Sequence, residues 1–141
     1  CVCYGYDFVV AERVVYISDV TEIPDATMEK IRARPVHVLV LDSLLWDRDA
    51  ATHIGCLTAV KIAREIQPKH VLLTGAVALA YLGSACDTHA QRERWCLPVC
   101  SGMSHSQGDH DEVNAKLREI TKDDPFDVAF AFDGQRIPIR L

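Results

Sequence analysis

The chain lacks the features that would send it to a membrane, a nucleic acid or a secretory pathway. No apolar run in its 141 residues reaches the roughly 18 needed for a membrane helix. The most apolar stretch, from Val71 to Leu82, is shorter and is broken by Thr74 and Gly75. The first residues do not carry a signal-peptide pattern. Lys and Arg number 15 against 20 acids, for a net charge of -5, and they form no block. A dedicated phosphate-backbone surface needs clustered cations, so nucleic acid is an unsupported partner. No Gly-rich phosphate loop follows the first strand, which argues against a small nucleotide-binding module. No segment repeats.

What is present is an ordinary globular balance, 49% hydrophobic and 25% charged. The length suits one compact domain. The six cysteines, Cys1, Cys3, Cys56, Cys86, Cys96 and Cys100, are even in number, but three share one short stretch. They read as reduced thiols of a cytoplasmic protein rather than a disulfide framework. The chain opens on Cys1 and not Met, and the expectation is that it starts inside a longer protein.

Residues 4–10 and the run Arg13-Val-Val-Tyr-Ile-Ser18 are rich in β-branched and aromatic residues around a short polar turn, which predicts an antiparallel hairpin. Asp19 follows directly. Ile23-Pro24-Asp25 opens a helix to about Ala33, with Pro in the first turn and acids near the positive end of the dipole. Val36 to Leu41 is almost wholly apolar, as in a strand buried on both faces, and ends at Asp42. A polar loop leads to His53. Helical periodicity runs from Leu57 to Ile66 until Pro68, and His70 to Thr74 is the next buried strand. A further helix spans Asp109 to Ile120. Phe126 to Phe132 and Arg136 to Leu141 predict a closing hairpin through Asp133-Gly134. Alternating strands and helices imply a layered α/β sheet.

In such folds functional groups gather in loops at strand ends. Asp19, His53 and His105 occupy such positions. A carboxylate between two imidazoles suits a divalent metal, since Asp can bridge ions and His supplies neutral nitrogen. A strand-end Asp is also a common turn or cap residue, and a lone His is often structural. Cys86, His89, Cys96 and Cys100 form C-x2-H and C-x3-C spacings, which do not match the usual zinc-knuckle patterns. Asp42 ends its strand as a receiver phosphoacceptor would. The acidic pair and the later Lys of a receiver have no counterpart.

Val15-Tyr-Ile-Ser-Asp-Val20 with Ile23-Pro24, then Val38-Leu-Val-Leu-Asp42, resembles the metallo-β-lactamase superfamily, in the branch of the phosphonate-pathway cyclic phosphodiesterase. Thr52-His53-Ile54-Gly55 before a helix, Leu72-Leu-Thr-Gly75, Gly102-Met-Ser-His105 and Asp109-His110-Asp111 extend the likeness. The resemblance implies an α/β fold, the C-terminal half of an αββα sandwich. It implies that Asp19 bridges two metals, zinc or manganese, and that His105 ligates one. His53 would assist the leaving group of a small-molecule phosphodiester. It implies Asp42 as an orienting group near the site rather than a ligand. Trp46 and Arg48 read as surface-loop residues within reach of substrate.

Two departures accompany the likeness. The family's His-x-His-x-Asp-His motif, and a further His between its halves, are missing. Asp19 with one or two His does not make a closed tetrahedral site. Gly75 stands where some branches place a metal-binding His after the Thr. The 27 residues from Ala76 to Gly102 also separate two pieces that are continuous in relatives. They read as an insertion in one partial domain spanning 1–141, either translated intron sequence or a lineage-specific loop. The expected function is metal-dependent phosphodiester hydrolysis in the full-length protein. The alternative is a truncated or mis-spliced product with no catalysis of its own. A half-sandwich leaves a sheet face and edge to be covered, so a homodimer is a further expectation.

Overall fold

The computed structural model describes residues 3–9, 11–75, 110–132 and 135–138. The order is β1 (Tyr6–Val9), β2 (Arg13–Ile17), α1 (Asp25–Arg32), β3 (Val38–Asp42), α2 (Cys56–Ile66), β4 (His70–Thr74), α3 (His110–Ile120) and β5 (Asp127–Phe130). The five strands form one sheet in the order β1-β2-β3-β4-β5. The predicted hairpin is present, with β1 antiparallel to β2 and Tyr6 opposite Tyr16. The other pairings are parallel, each bridged by a helix.

That topology fixes where the helices lie. Three successive crossovers step in the same direction across the sheet, and each is expected to be right-handed, so all three helices fall on one face. Burial agrees. Val15, Ile17, Leu39, Leu41, Val71, Leu73, Val128 and Phe130 join one core with Met28 and Ile31 of α1, Val60 and Ala63 of α2, and Val113 and Leu117 of α3. Leu39, Leu41, Leu73 and Leu117 are fully buried. Each contributes about 1.5–3 kcal/mol relative to an exposed position. The alternate residues Val14, Tyr16, Val40 and Leu72 are only half-buried. The reading of β4 as fully buried is thus corrected. Its pattern is one-sided because its helices are too, and β3 likewise has a half-buried residue, Val40.

Local chemistry sets the helix limits. Asp25 sits in the first turn of α1, and Lys30 and Arg32 in its last, complementing the dipole. Gln67 adopts a left-handed conformation after α2 and returns its N–H to Ala63 O, and Pro68 prevents continuation.

Arg13 is buried although charged. Its guanidinium donates to both oxygens of Asp7 at 3.0 and 2.9 Å, and to the carbonyls of Ile31 and Arg34 at 2.7 and 2.6 Å. It thereby satisfies carbonyls that the C-terminus of α1 leaves without helical partners. His37, at the head of β3, accepts the Arg13 backbone N–H on Nδ1 at 2.9 Å, a structural role.

The predicted closing hairpin is not formed by the described residues. Residues 135–138 carry no strand, and β5 pairs only with β4. Pro138 has no N–H to give a ladder. The Gln135 N–H does return to Phe132 O at 3.1 Å, and Phe132 N donates to Gln135 Oε1 at 3.2 Å, as a tight turn there would have it. Asp133-Gly134, the insertion at 76–102 with its cysteines and His89, and His105 lie outside the described residues. Among the described residues, no helix is long and apolar enough to cross a membrane.

Candidate active site

Parallel strands deliver their C-terminal ends to one edge of the sheet, and the polar residues collect there. Asp19 lies two residues past β2, Asp42 ends β3, and Thr74 and Gly75 end β4. His53 comes from the loop between β3 and α2.

Several backbone bonds shape that loop. Leu44 N donates to Ile54 O at 3.0 Å, Ala50 N to His53 O at 2.8 Å, and Cys56 N to Leu45 O at 2.7 Å. Asp49 Oδ1 accepts the N–H of Gly55 at 2.7 Å. A side chain at position 55 would run into the Arg48 carbonyl, so Gly is required there. Trp46 packs against the core instead of facing outward, which corrects its reading as a surface residue.

The loop carries His53 onto Asp42. Asp42 Oδ2 is 2.6 Å from His53 Nδ1, and both residues are buried. Burial pushes the Asp42 carboxyl up from its ordinary value, and the hydrogen bond and charge of His53 oppose that rise. The strand ends are tied together beneath it, with Ser43 N on Thr74 O at 2.7 Å and Thr74 Oγ1 on Leu41 O at 3.2 Å.

Asp19 differs in every respect. Its side chain is 68% exposed, and its backbone has a φ of 58°, a left-handed conformation that Asp tolerates better than most residues. Ser18 Oγ donates to Oδ2 at 3.1 Å, and the Cys3 thiol donates to the backbone carbonyl at 2.7 Å. Asp19 Oδ1 stands 3.7 Å from His53 Nδ1.

Two of the three residues singled out from sequence, Asp19 and His53, are therefore neighbours, and the third, His105, is not among those described. Asp42 joins them as the group behind His53. The sequence signal for it was a lone carboxylate closing an apolar strand. Cys56 lies below the site, but burial pushes its thiol up to about 12, which leaves it unreactive.

An exposed carboxylate at a strand end has the chemistry of a bridging metal ligand. The described residues do not complete a site around it. Among them, no group of three His, Cys, Asp or Glu side chains could hold a metal ion. His53 Nδ1 is already taken by Asp42.

No protein-family model matches the chain, and no curated protein is significantly similar in sequence. A solved structure is similar, described as the crystal structure of a new diphosphatase from the PhnP family. The two share 25% identity and a TM-score of 0.62. The match covers 98% of this chain and 38% of that one, so the chain spans well under half the length of the protein it resembles. The five-stranded sheet with its helices is a mixed α/β fold of the metallo-β-lactamase type, as in that PhnP-family structure.

Proposed function

We propose that the chain is the distal part of a metal-dependent hydrolase that cleaves a phosphodiester or diphosphate linkage in a small molecule. The observation that carries this reading is the approach of Asp19 to His53, 3.7 Å apart at the C-terminal edge of a parallel sheet. The similarity to a diphosphatase supports the substrate class.

In this reading Asp19 and His105 would help to hold divalent ions, zinc or manganese, together with donors outside the described residues. Bound ions of this kind supply Lewis acidity at the phosphoryl oxygen and a hydroxide nucleophile. The contribution of this chain's own residues is separate. His53 gives a proton to the leaving oxygen, and Asp42 holds the ring.

Metal content and hydrolysis of bis(p-nitrophenyl) phosphate, measured on the full-length protein and its Asp19→Ala variant, test the reading. Loss of both metal and turnover is the expected result. Metal content unchanged by the substitution removes Asp19 from the site and the proposal with it.

A second reading applies to the isolated 141 residues, that they do not turn over substrate alone. The absence of a three-donor group among the described residues favours it. Turnover by the chain itself, with zinc or manganese added, contradicts this second reading and leaves the first intact.

A further inference from the structure

We infer that Asp42 is a positioning residue that holds His53 in the Nδ1–H tautomer and leaves Nε2 as the atom that meets substrate. The inference rests on the hydrolase reading for its catalytic consequence, but its structural content stands on the geometry alone.

A neutral imidazole has one N–H and one lone pair, and an ionised carboxylate only accepts. At 2.6 Å, Asp42 Oδ2 and His53 Nδ1 must share a proton, since two facing lone pairs would repel. With Oδ2 as the acceptor, that proton is carried on Nδ1. The second carboxylate lies on the same edge of the ring. Asp19 Oδ1 is 3.7 Å from Nδ1, too far for a hydrogen bond, so Asp42 is the acceptor.

The surroundings of both partners set their placement. The other oxygen of Asp42 faces Gly75, where even a Cβ would lie at 3.2 Å. The loop bonds Ala50 N to His53 O and Leu44 N to Ile54 O fix the backbone that carries the ring. Nδ1 is thus committed inward, and the proton traffic of His53 runs through Nε2.

The consequence for the reaction is definite. In its charged form the ring gives the Nε2 proton to the leaving oxygen, which takes the electron pair of the breaking P–O bond. The ring is left neutral with its proton on Nδ1. Asp42 keeps the Nδ1 proton hydrogen-bonded before and after the transfer.

Long-range proton–nitrogen correlation spectra of the chain, recorded where the His53 ring is neutral, read the tautomer directly. The expected spectrum has Nδ1 protonated and Nε2 unprotonated. The reverse pattern in the unaltered chain overturns the assignment. Asp42→Asn keeps the volume and offers an amide that can donate to Nδ1, and Asp42→Leu removes the acceptor altogether. Each variant is first checked for folding by circular dichroism. The tautomer should move toward Nε2–H in either folded variant, and retention of Nδ1–H in both counts against Asp42 as its cause.

The kinetic arm uses the full-length protein with bis(p-nitrophenyl) phosphate. Asp42→Asn should lower kcat by about 10²–10⁴-fold with KM little changed, and adding His53→Ala to it should cost little more. A tautomer shift with kcat intact ends the positioning role while sparing the hydrolase reading. No turnover by the unaltered full-length protein ends the hydrolase reading, and the spectra still decide the Asp42 assignment.

Discussion

A Cβ on Gly75 would stand 3.2 Å from Asp42 Oδ1, and the Gly75 backbone has a φ of +84°. Both facts disfavour a side chain at the end of β4. Gly75→Ala should cost about 1–2 kcal/mol from the left-handed backbone alone, and it should displace Asp42 from His53. Gly75→His, which would place an imidazole beside Asp42, should destabilise the chain at least as much and add no tightly bound metal. Thermal unfolding and metal analysis of the two variants check this. A stable Gly75→His chain with increased zinc would show that the site can accommodate a histidine there.

Arg13 shows how much of the fold hangs on one buried cation. Its bond to Asp7 is worth little on its own, because the Asp7 side chain is 42% exposed. The larger effect of Arg13→Ala is to remove the donor from the carbonyl of Ile31, near the end of α1, and from that of Arg34 just beyond it. Losing these charge-assisted bonds should cost about 1–3 kcal/mol in urea unfolding. Arg13→Lys should recover only part of this, since an ammonium cannot reach a carboxylate and two carbonyls as a planar fork does. Equal stability of the Lys variant and the unaltered chain would refute the account.

Acid stability follows from the same pair. The guanidinium of Arg13 holds the Asp7 carboxyl below its ordinary 3.8, chiefly through their hydrogen bond. A carboxyl lowered in the folded state stabilises the fold above its unfolded value and loses that contribution as the pH falls through its folded value. The window is therefore at and below pH 3.8. Unfolding free energy measured against pH should fall less steeply there in Asp7→Asn, which is also slightly less stable at neutral pH. Parallel curves for the two proteins would exclude a role for Asp7.

The outer strand gives a prediction about association. All four residues of β1 are exposed, and the rings of Tyr6 and Phe8 stack at 5.9 Å on a strand whose far edge has no strand partner among the described residues. Apolar, unprotected edges recruit other strands. The chain alone should associate in light scattering at micromolar concentration, and the double change Tyr6→Lys and Phe8→Lys should shift it toward monomer. A monodisperse unaltered chain that unfolds cooperatively would tell against this and against an uncovered half-sandwich.

The elements were legible because their periods are clean. Val15-Tyr-Ile and Val38-Leu-Val-Leu read as strands by residue type, and α2 by its spacing up to Pro68. One-sided burial was not, since a run such as Val71-Leu-Leu is apolar at every position whether or not both faces are covered. Only the direction of the three crossovers settles that. The closing strand is not seen in residues 135–138, where Pro138 removes a ladder donor, and the rest of that reading lies outside the described residues. In the site, Asp19 and His53 were found through motif resemblance. Their closeness to Asp42, and the burial of Arg13, depend on contacts between residues 11 or more apart. Spacing along the chain carries no signal for such contacts.

The one-sided sheet has a last consequence. Along β3 and β4 the core is built from Leu39, Leu41, Val71 and Leu73, while Val40, Asp42, Leu72 and Thr74 take the positions between them. Stability and chemistry thus use opposite parities of the same strands. Substitutions in one set should be nearly independent of the other wherever the side chains do not touch. A slip of one residue in register would exchange the two sets outright, burying Asp42 among the helices and lifting Leu41 to the site. The pairing of β3 with β4 therefore guards the hydrophobic core and the Asp42–His53 contact together.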